Sequence, residues 1–299
     1  AGLAIGAAGA LEGDDHLRTS DPDIFAAGDM VEVAHRVSGQ KVRMPLAGPA
    51  NRQGRIAATN ALGGQDHYHG VLGTSIVKVM DATIGATGLT ERAARAAGLN
   101  VGAATIHKEH HATYYPGARE MMLKLIYEKP SGRVLGAQAY GKAGVESRVN
   151  AVAVAITAGQ TVHDLGEVDL VYAPPFSSAN DPLNLVAFVA ENDRSGFSPL
   201  VTPAELLAEL GSTEPPLVVD VRKPSETEHG VIPGSLLIPL PELAARAAEL
   251  PANRPIVVTC RSGYRGHLAL RTLAGRQVRN LTGGIVSWQS QPGTTLVHP

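Results

Sequence analysis

The segment Pro255-Ile-Val-Val-Thr-Cys260-Arg-Ser-Gly-Tyr-Arg265-Gly-His-Leu-Ala-Leu-Arg271 admits few folds. Ile256 to Thr259 is a short β-branched run bounded by Pro255, the pattern of a buried strand. Beyond Arg265, the leucines at 268, 270 and 273 suit a helix closed by Gly275. Between strand and helix lies a tight loop opened by the only cysteine of the chain. A thiol at a strand end, facing a helix N-terminus, meets free backbone N–H groups and the positive end of the helix dipole. Arg261 and Arg265 add positive charge. All three effects favour thiolate over thiol, and so a nucleophile.

A lone cysteine is most often a small buried hydrophobe. Here its context argues otherwise, because a structural cysteine has no need of a Gly-containing loop with two arginines. The span Cys260, Arg261, Ser262, Gly263, Tyr264, Arg265 resembles the active-site loop of rhodanese-type sulfurtransferases. Related phosphatase loops carry one more residue between Cys and Arg, so the six-residue ring implies a terminal sulfur rather than a phosphate.

Length and composition bound the rest. A chain of 299 residues, 44% hydrophobic and 18% charged, has ample core for two or three domains. A formal charge of −2 gives no reason to expect nucleic acid, and no apolar run is long enough to span a bilayer. A single cysteine excludes an internal disulfide and fits a reducing, cytoplasmic compartment. The opening Ala1-Gly-Leu-Ala-Ile-Gly has no basic leader and reads as entered in mid-domain.

Residues 1–65 hold a second informative stretch, Thr19-Ser-Asp-Pro-Asp-Ile-Phe-Ala-Ala-Gly28-Asp29. Asp21-Pro22 predicts a turn and Ile24 to Ala27 a short buried strand that Gly28-Asp29 ends. A carboxylate there is placed to accept from a sugar-like hydroxyl. The stretch resembles the second flavin motif of the pyridine nucleotide–disulfide reductases, in which the aspartate bonds the ribityl chain of FAD. A helix opening near Ala47 follows. In that family its N-terminus faces the flavin ring, so Ala47 and Gly48 are the matching positions. Gly63-Gly64 and Gln65 to His69 predict a linker.

Residues 66–192 read as a mixed α/β unit. Ser75–Met80 and Val101–Ile106 predict strands, Thr90–Ala97 a capped helix, Met121–Tyr127 with Val134–Tyr140 a hairpin, and Val145–Ala158 an apolar helix. This order resembles the dimerisation domain of the same reductases and implies a homodimer. Near its end, Val171-Tyr172-Ala-Pro-Pro lacks the histidine of glutathione-reductase-like members. It resembles the coenzyme A-disulfide reductase and NADH oxidase branch, which implies roles for Tyr172 and for Tyr114 or Tyr115, with Tyr115 the primary candidate. Asn180 stands where that branch implies a lysine for coenzyme A contact. The run His107-Lys-Glu-His110-His111 has no partnering carboxylates placed and reads as a solvated strand end, so no metal is expected.

Residues 193–299 restart as a small α/β domain. Thr202-Pro203 predicts a helix cap, Leu217–Arg222 a core strand, and Leu281–Trp288 a strand–turn–helix. The resemblance makes Asp220 and Arg222 architectural.

No Gly-x-Gly-x-x-Gly occurs anywhere, and no cysteine remains to face a flavin. The resemblance therefore implies the C-terminal portion of an FAD- and NADH-dependent reductase of coenzyme A disulfide, persulfide or polysulfide, fused to a rhodanese domain. Its expected partners are small thiols, persulfides or polysulfides, with sulfur transfer the activity retained. A non-catalytic docking module is the alternative, against which the intact Cys260 and Arg265 argue.

Overall fold

The computed structural model describes residues 2–298, so Ala1 and Pro299, at the outer ends of the first and last expected segments, lie outside it. The described chain is mixed α/β and is organised by three sheets. The first joins β1 (Leu11–Glu12), β2 (Val31–Ala34) and β3 (Lys41–Arg43), with β1 parallel and β3 antiparallel to β2. Helix α1 (Ala47–Ala61) packs on it, Ala57 joining Leu17, Val31, Val33 and Tyr68 in a small core.

The strand expected at Ile24–Ala27 does not form. Asp21 turns the chain, accepting from the backbone of Asp23 and Ile24, and only Phe25 bridges back to Arg18. One bridged pair cannot propagate a ladder, and Ile24 stays exposed. Gly28–Met30 forms a 3-10 turn, and β2 begins at Val31. Asp29 therefore precedes a strand instead of ending one.

The second sheet is antiparallel, in the order β4-β5-β8-β7-β6: β4 (Ser75–Val79), β5 (Ala82–Gly88), β6 (Val101–Glu109), β7 (Glu120–Glu128) and β8 (Val134–Gly141). Helix α2 (Glu91–Ala96) interrupts it, opened by the Thr90 cap. Helix α3 (Val145–Thr157) covers one face because Val145, Val149, Val152 and Ala155 fall on a single stripe. Gly85 lets it approach, since a Cβ there would meet Val149 at 2.9 Å. Helices α4 (Val162–Glu167) and α5 (Pro182–Arg194) follow, and Asp181 both caps α5 and pairs with the buried Arg148.

The third sheet is parallel, β11-β10-β12-β13-β9: β9 (Leu200–Val201), β10 (Leu217–Asp220), β11 (Leu236–Leu237), β12 (Ile256–Thr259) and β13 (Val278–Leu281). Around it lie α6 (Pro203–Leu210), α7 (Pro224–Thr227), α8 (Leu243–Arg246), α9 (Tyr264–Thr272) and α10 (Gly284–Ser290). All four residues of β12 are buried because helices cover both faces. Val258 faces Leu243 and Ala269, whereas Val257 faces Leu206, Ile285 and Trp288.

The second and third sheets meet along a seam. Thr282 Oγ1 accepts from Thr105 N–H at 2.7 Å and donates to its carbonyl at 3.2 Å. His107 reaches Ser287 Oγ at 2.8 Å. It is therefore not at a solvated strand end, and burial pushes its imidazole below the usual range. Among the described residues, no helix is long and apolar enough to cross a membrane.

Candidate active site

The central strand β12 delivers Cys260 to the C-terminal edge of the parallel sheet, where open α/β sheets bind ligands. Gly263 then adopts φ +104°, a conformation that glycine reaches without the strain a side chain would bring, and caps α9. Its N–H donates to Cys260 Sγ at 3.1 Å.

The loop is held from outside by its carbonyls. Cys260 O accepts from Ile285 N–H at 2.9 Å, and Arg261 O from Val286 N–H at 3.2 Å, both at the start of α10. Gly263 O accepts from Asn280 Nδ2 at 3.0 Å. Gly284 is required for this closeness, since a Cβ there would lie 2.3 Å from Cys260 O.

Arg265 is fixed by a residue that sequence reasoning missed. Its two terminal nitrogens donate to Glu226 Oε2 at 2.7 Å and Oε1 at 2.6 Å. That hydrogen bonding, reinforced by Lys223 N–H and nearby arginine charge, holds the Glu226 carboxyl at about 2. The same carboxylate holds the guanidinium above its usual range, and the Cys260 sulfur beside it acts in the same direction. Arg222, paired with Asp220 at 2.6 Å inside the core, donates to the carbonyls of Glu226 and Gly230. The buried pair thus anchors the segment that carries Glu226. The only sequence signal for Glu226 is its place as an acidic residue in the first turn of α7.

The remaining loop side chains point elsewhere. Arg261 is half exposed and pairs with Glu120 of β7 at 2.8 Å, so its charge is spent across the seam. Tyr264 is largely exposed. Arg261, Ser262, Gly263 and Tyr264 border a cavity of about 620 Å³ between the second and third sheets, with His107 and Phe188 on its far wall.

On the first segment, Gly28 N–H donates to the buried Gln53 Oε1 at 2.7 Å, tying the Gly28–Asp29 turn to α1. Asp29 is exposed, and its carbonyl accepts from Arg43 Nε at 2.8 Å. No side chain caps α1, so the Ala47 and Gly48 end presents free N–H donors to a cavity shared with Arg36, Arg52 and Val154. This donor set fits the ribityl and ring end of a flavin. The glycine loop for a pyrophosphate is not in this sequence.

Tyr172 Oη meets Tyr114 Oη at 2.7 Å, and this bond pushes the Tyr114 phenol up. Tyr115 is not brought to Tyr172; it packs edge-on against His111, ring centroids 5.7 Å apart.

The architecture is a reductase dimerisation unit followed by a sulfurtransferase-like α/β unit. Residues 74–182 match the pyridine nucleotide-disulphide oxidoreductase dimerisation domain, and residues 202–291 the rhodanese-like domain. The chain thus joins a dimerisation domain of the pyridine nucleotide-disulphide oxidoreductases to a rhodanese-like domain. It is similar to the reduced CoADR-RHD of Bacillus anthracis, with TM-score 0.91 and 41% identity over 97% of this chain and 52% of that one. The NAD-dependent persulfide reductase of A. fulgidus gives 0.83 and 40% over 96% and 52%. The CoA-dependent NAD(P)H sulfur oxidoreductase of Pyrococcus furiosus is 43% identical over 188 residues, 63% of this chain and 42% of that protein. The chain thus spans about half the length of the relatives it matches.

Proposed function

We propose that Cys260 carries sulfane sulfur as a persulfide, within a flavin- and NADH-dependent reductase of coenzyme A disulfide, persulfide or polysulfide. The observation that carries this reading is the Cys260 sulfur at the end of β12, accepting Gly263 N–H beside an arginine clamped by Glu226. Relatives named as persulfide and CoA-dependent sulfur reductases support the substrate class. The proposal divides the chain into 1–65 on the flavin side, 66–192 for dimerisation and 193–299 for sulfur transfer.

With thiosulfate as donor, the Cys260 thiolate attacks the terminal sulfur. The S–S bond breaks, sulfite leaves with the bonding pair, and Cys260–S–S⁻ remains. An acceptor thiolate attacks that outer sulfur, and the Cys260 thiolate leaves. No external electron is needed. The Gly263 N–H and the Arg265 cation offset the negative charge retained at each stage.

FAD, when bound, supplies reducing electrons for a disulfide or persulfide. Asp29 would hold its ribityl chain and the α1 end at Ala47 and Gly48 would lie by its ring. Tyr172 and Tyr114 would serve the thiol chemistry of the other protomer in a homodimer, with Tyr115 supporting from His111. The fully exposed strand β4, with Ile76, Val77 and Val79, gives that dimer an apolar face to cover. A single cysteine is consistent with a cytoplasmic location.

The test is the transfer of sulfur from thiosulfate or polysulfide to cyanide, with mass spectrometry of the protein after donor treatment. One added sulfur on Cys260 and thiocyanate release are expected. Cys260→Ser should lose both, and retained transfer in a folded Cys260→Ser protein would sink the assignment.

A further inference from the structure

We propose that Asp15, His16 and His67 form a binding site for a late first-row divalent cation of the zinc type, fastening the first segment to the linker before β4. The three residues come from two loops far apart in sequence, yet one ligand atom from each lies within 4.8 Å of the others. His67 Nδ1 is 2.9 Å from Asp15 Oδ2, and His16 Nε2 is 3.9 Å from Asp15 Oδ1. Tetrahedral ligands with bonds of about 2.0–2.2 Å sit about 3.3–3.6 Å apart, so the observed spacings bracket an occupied site and need only small side-chain movements. Two imidazoles and one carboxylate are a borderline-soft N/N/O set, suited to zinc, nickel or copper and unsuited to magnesium or calcium.

The hydrogen bonds around the three ligands separate this cluster from a chance meeting of surface side chains. His16 Nδ1 lies 3.1 Å from the Asp66 carbonyl. A carbonyl can only accept, so Nδ1 carries the proton and the neutral ring keeps its lone pair on Nε2, the atom facing Asp15. The buried Asn60 at the end of α1 locks the two loops together. Its Nδ2 donates to His16 O at 2.9 Å and to Asp66 O at 2.8 Å, while its Oδ1 accepts from Asp66 N–H at 2.8 Å. Tyr68 N–H donates to Asp15 O at 2.7 Å. The backbones that carry all three ligands are thus fixed, while the carboxylate and the His67 ring stay accessible.

On binding, the cation replaces the His67–Asp15 hydrogen bond, and the His67 ring proton passes to its other nitrogen. Two neutral imidazoles and one carboxylate leave a net single positive charge on a dication. Water completes four-coordination.

The experiment is calorimetric titration of the full chain in a Cys260→Ser background, which removes the thiol as a competing ligand, with Zn²⁺ and then Mg²⁺. One Zn²⁺ per chain at micromolar affinity or tighter is expected, with no displacement by millimolar Mg²⁺. His16→Ala and His67→Ala should each weaken binding at least tenfold, and His110→Ala should leave it unchanged. Cu²⁺ loaded on the same background should show hyperfine coupling to two imidazole nitrogens by paramagnetic resonance, falling to one in His67→Ala. His67 is half exposed, so its replacement does not threaten the fold. Unchanged zinc affinity in His67→Ala, or loss of binding in His110→Ala, would overturn the site.

Discussion

The loop at Cys260 and the turn at Asp29 are both small glycine-bearing turns beside a helix N-terminus, and they differ in how closely their neighbours enclose them. Around Cys260, the groups that hold the loop backbone and Arg265 come from residues 220–286: the Asp220–Arg222 anchor, the Glu226 clamp, Asn280 and the start of α10, while Arg261 alone reaches out to Glu120. The sulfur is buried and already has a donor. At Asp29 the turn is tied to α1 through Gln53, but the carboxylate and the α1 end are exposed to solvent. A transferable sulfur needs one loop, whereas a dinucleotide needs a surface assembled from distant parts of a chain.

The contrast breaks first at FAD. One hydrogen bond to a charged group contributes about 1.5–3 kcal/mol and a helix end about 0.3–1. Association of the cofactor costs about 4 kcal/mol or more. This chain, loaded with FAD, should therefore lose it on dialysis, read by flavin absorbance, and should not oxidise NADH. Stoichiometric retention would show that Asp29 and the α1 end suffice by themselves.

Glu226→Gln sharpens the other side. The neutral amide gives up one charge-assisted bond to Arg265, worth about 1.5–3 kcal/mol, so transfer from thiosulfate should fall about 10- to 100-fold with Cys260 intact. The same residue has a pH signature. Its folded carboxyl at about 2 lies below its unfolded value, so the unfolded chain binds more protons between the two. The stabilisation is present above the ordinary carboxyl value of 4.5 and is lost as pH falls towards about 2. Denaturant midpoints should show a shallower acid loss in Glu226→Gln, and identical acid slopes would remove the clamp from the account.

Dimerisation tests the middle segment. Sedimentation at micromolar concentration should give a dimer, and Val77→Glu on the exposed β4 should shift it towards monomer. A clean wild-type monomer would count against the interface. The smallest effect belongs to Arg261→Ala. An exposed ion pair contributes about 0.2–1 kcal/mol, so sulfur transfer should change less than about fivefold. A larger loss would mean that Arg261 acts on the sulfur and not only on Glu120.

Much of the local structure was legible because it depends on neighbours in sequence. The β-branched run Ile256–Thr259, the Thr90 and Thr202 caps, the hairpin of Met121–Tyr127 with Val134–Tyr140 and the valine stripe of α3 each carry their own signal. Helix α5 gave less warning, since its buried face continues from a proline-rich loop. The strand expected at Ile24 failed because pairing needs a partner, and Arg18 supplies it only one residue.

By itself, the sequence determined which residues stand next to Cys260 along the chain, with a glycine and two arginines among them. Chain neighbours are linked by covalent geometry, so their signal survives without a fold. Only the tertiary structure decided that Arg265 is clamped by Glu226, that Arg261 turns to Glu120, that Tyr114 and not Tyr115 meets Tyr172, and that His16 faces His67. Each of these contacts joins segments whose separation is set by how sheets and helices pack, and no spacing along a single chain encodes a distance across two elements.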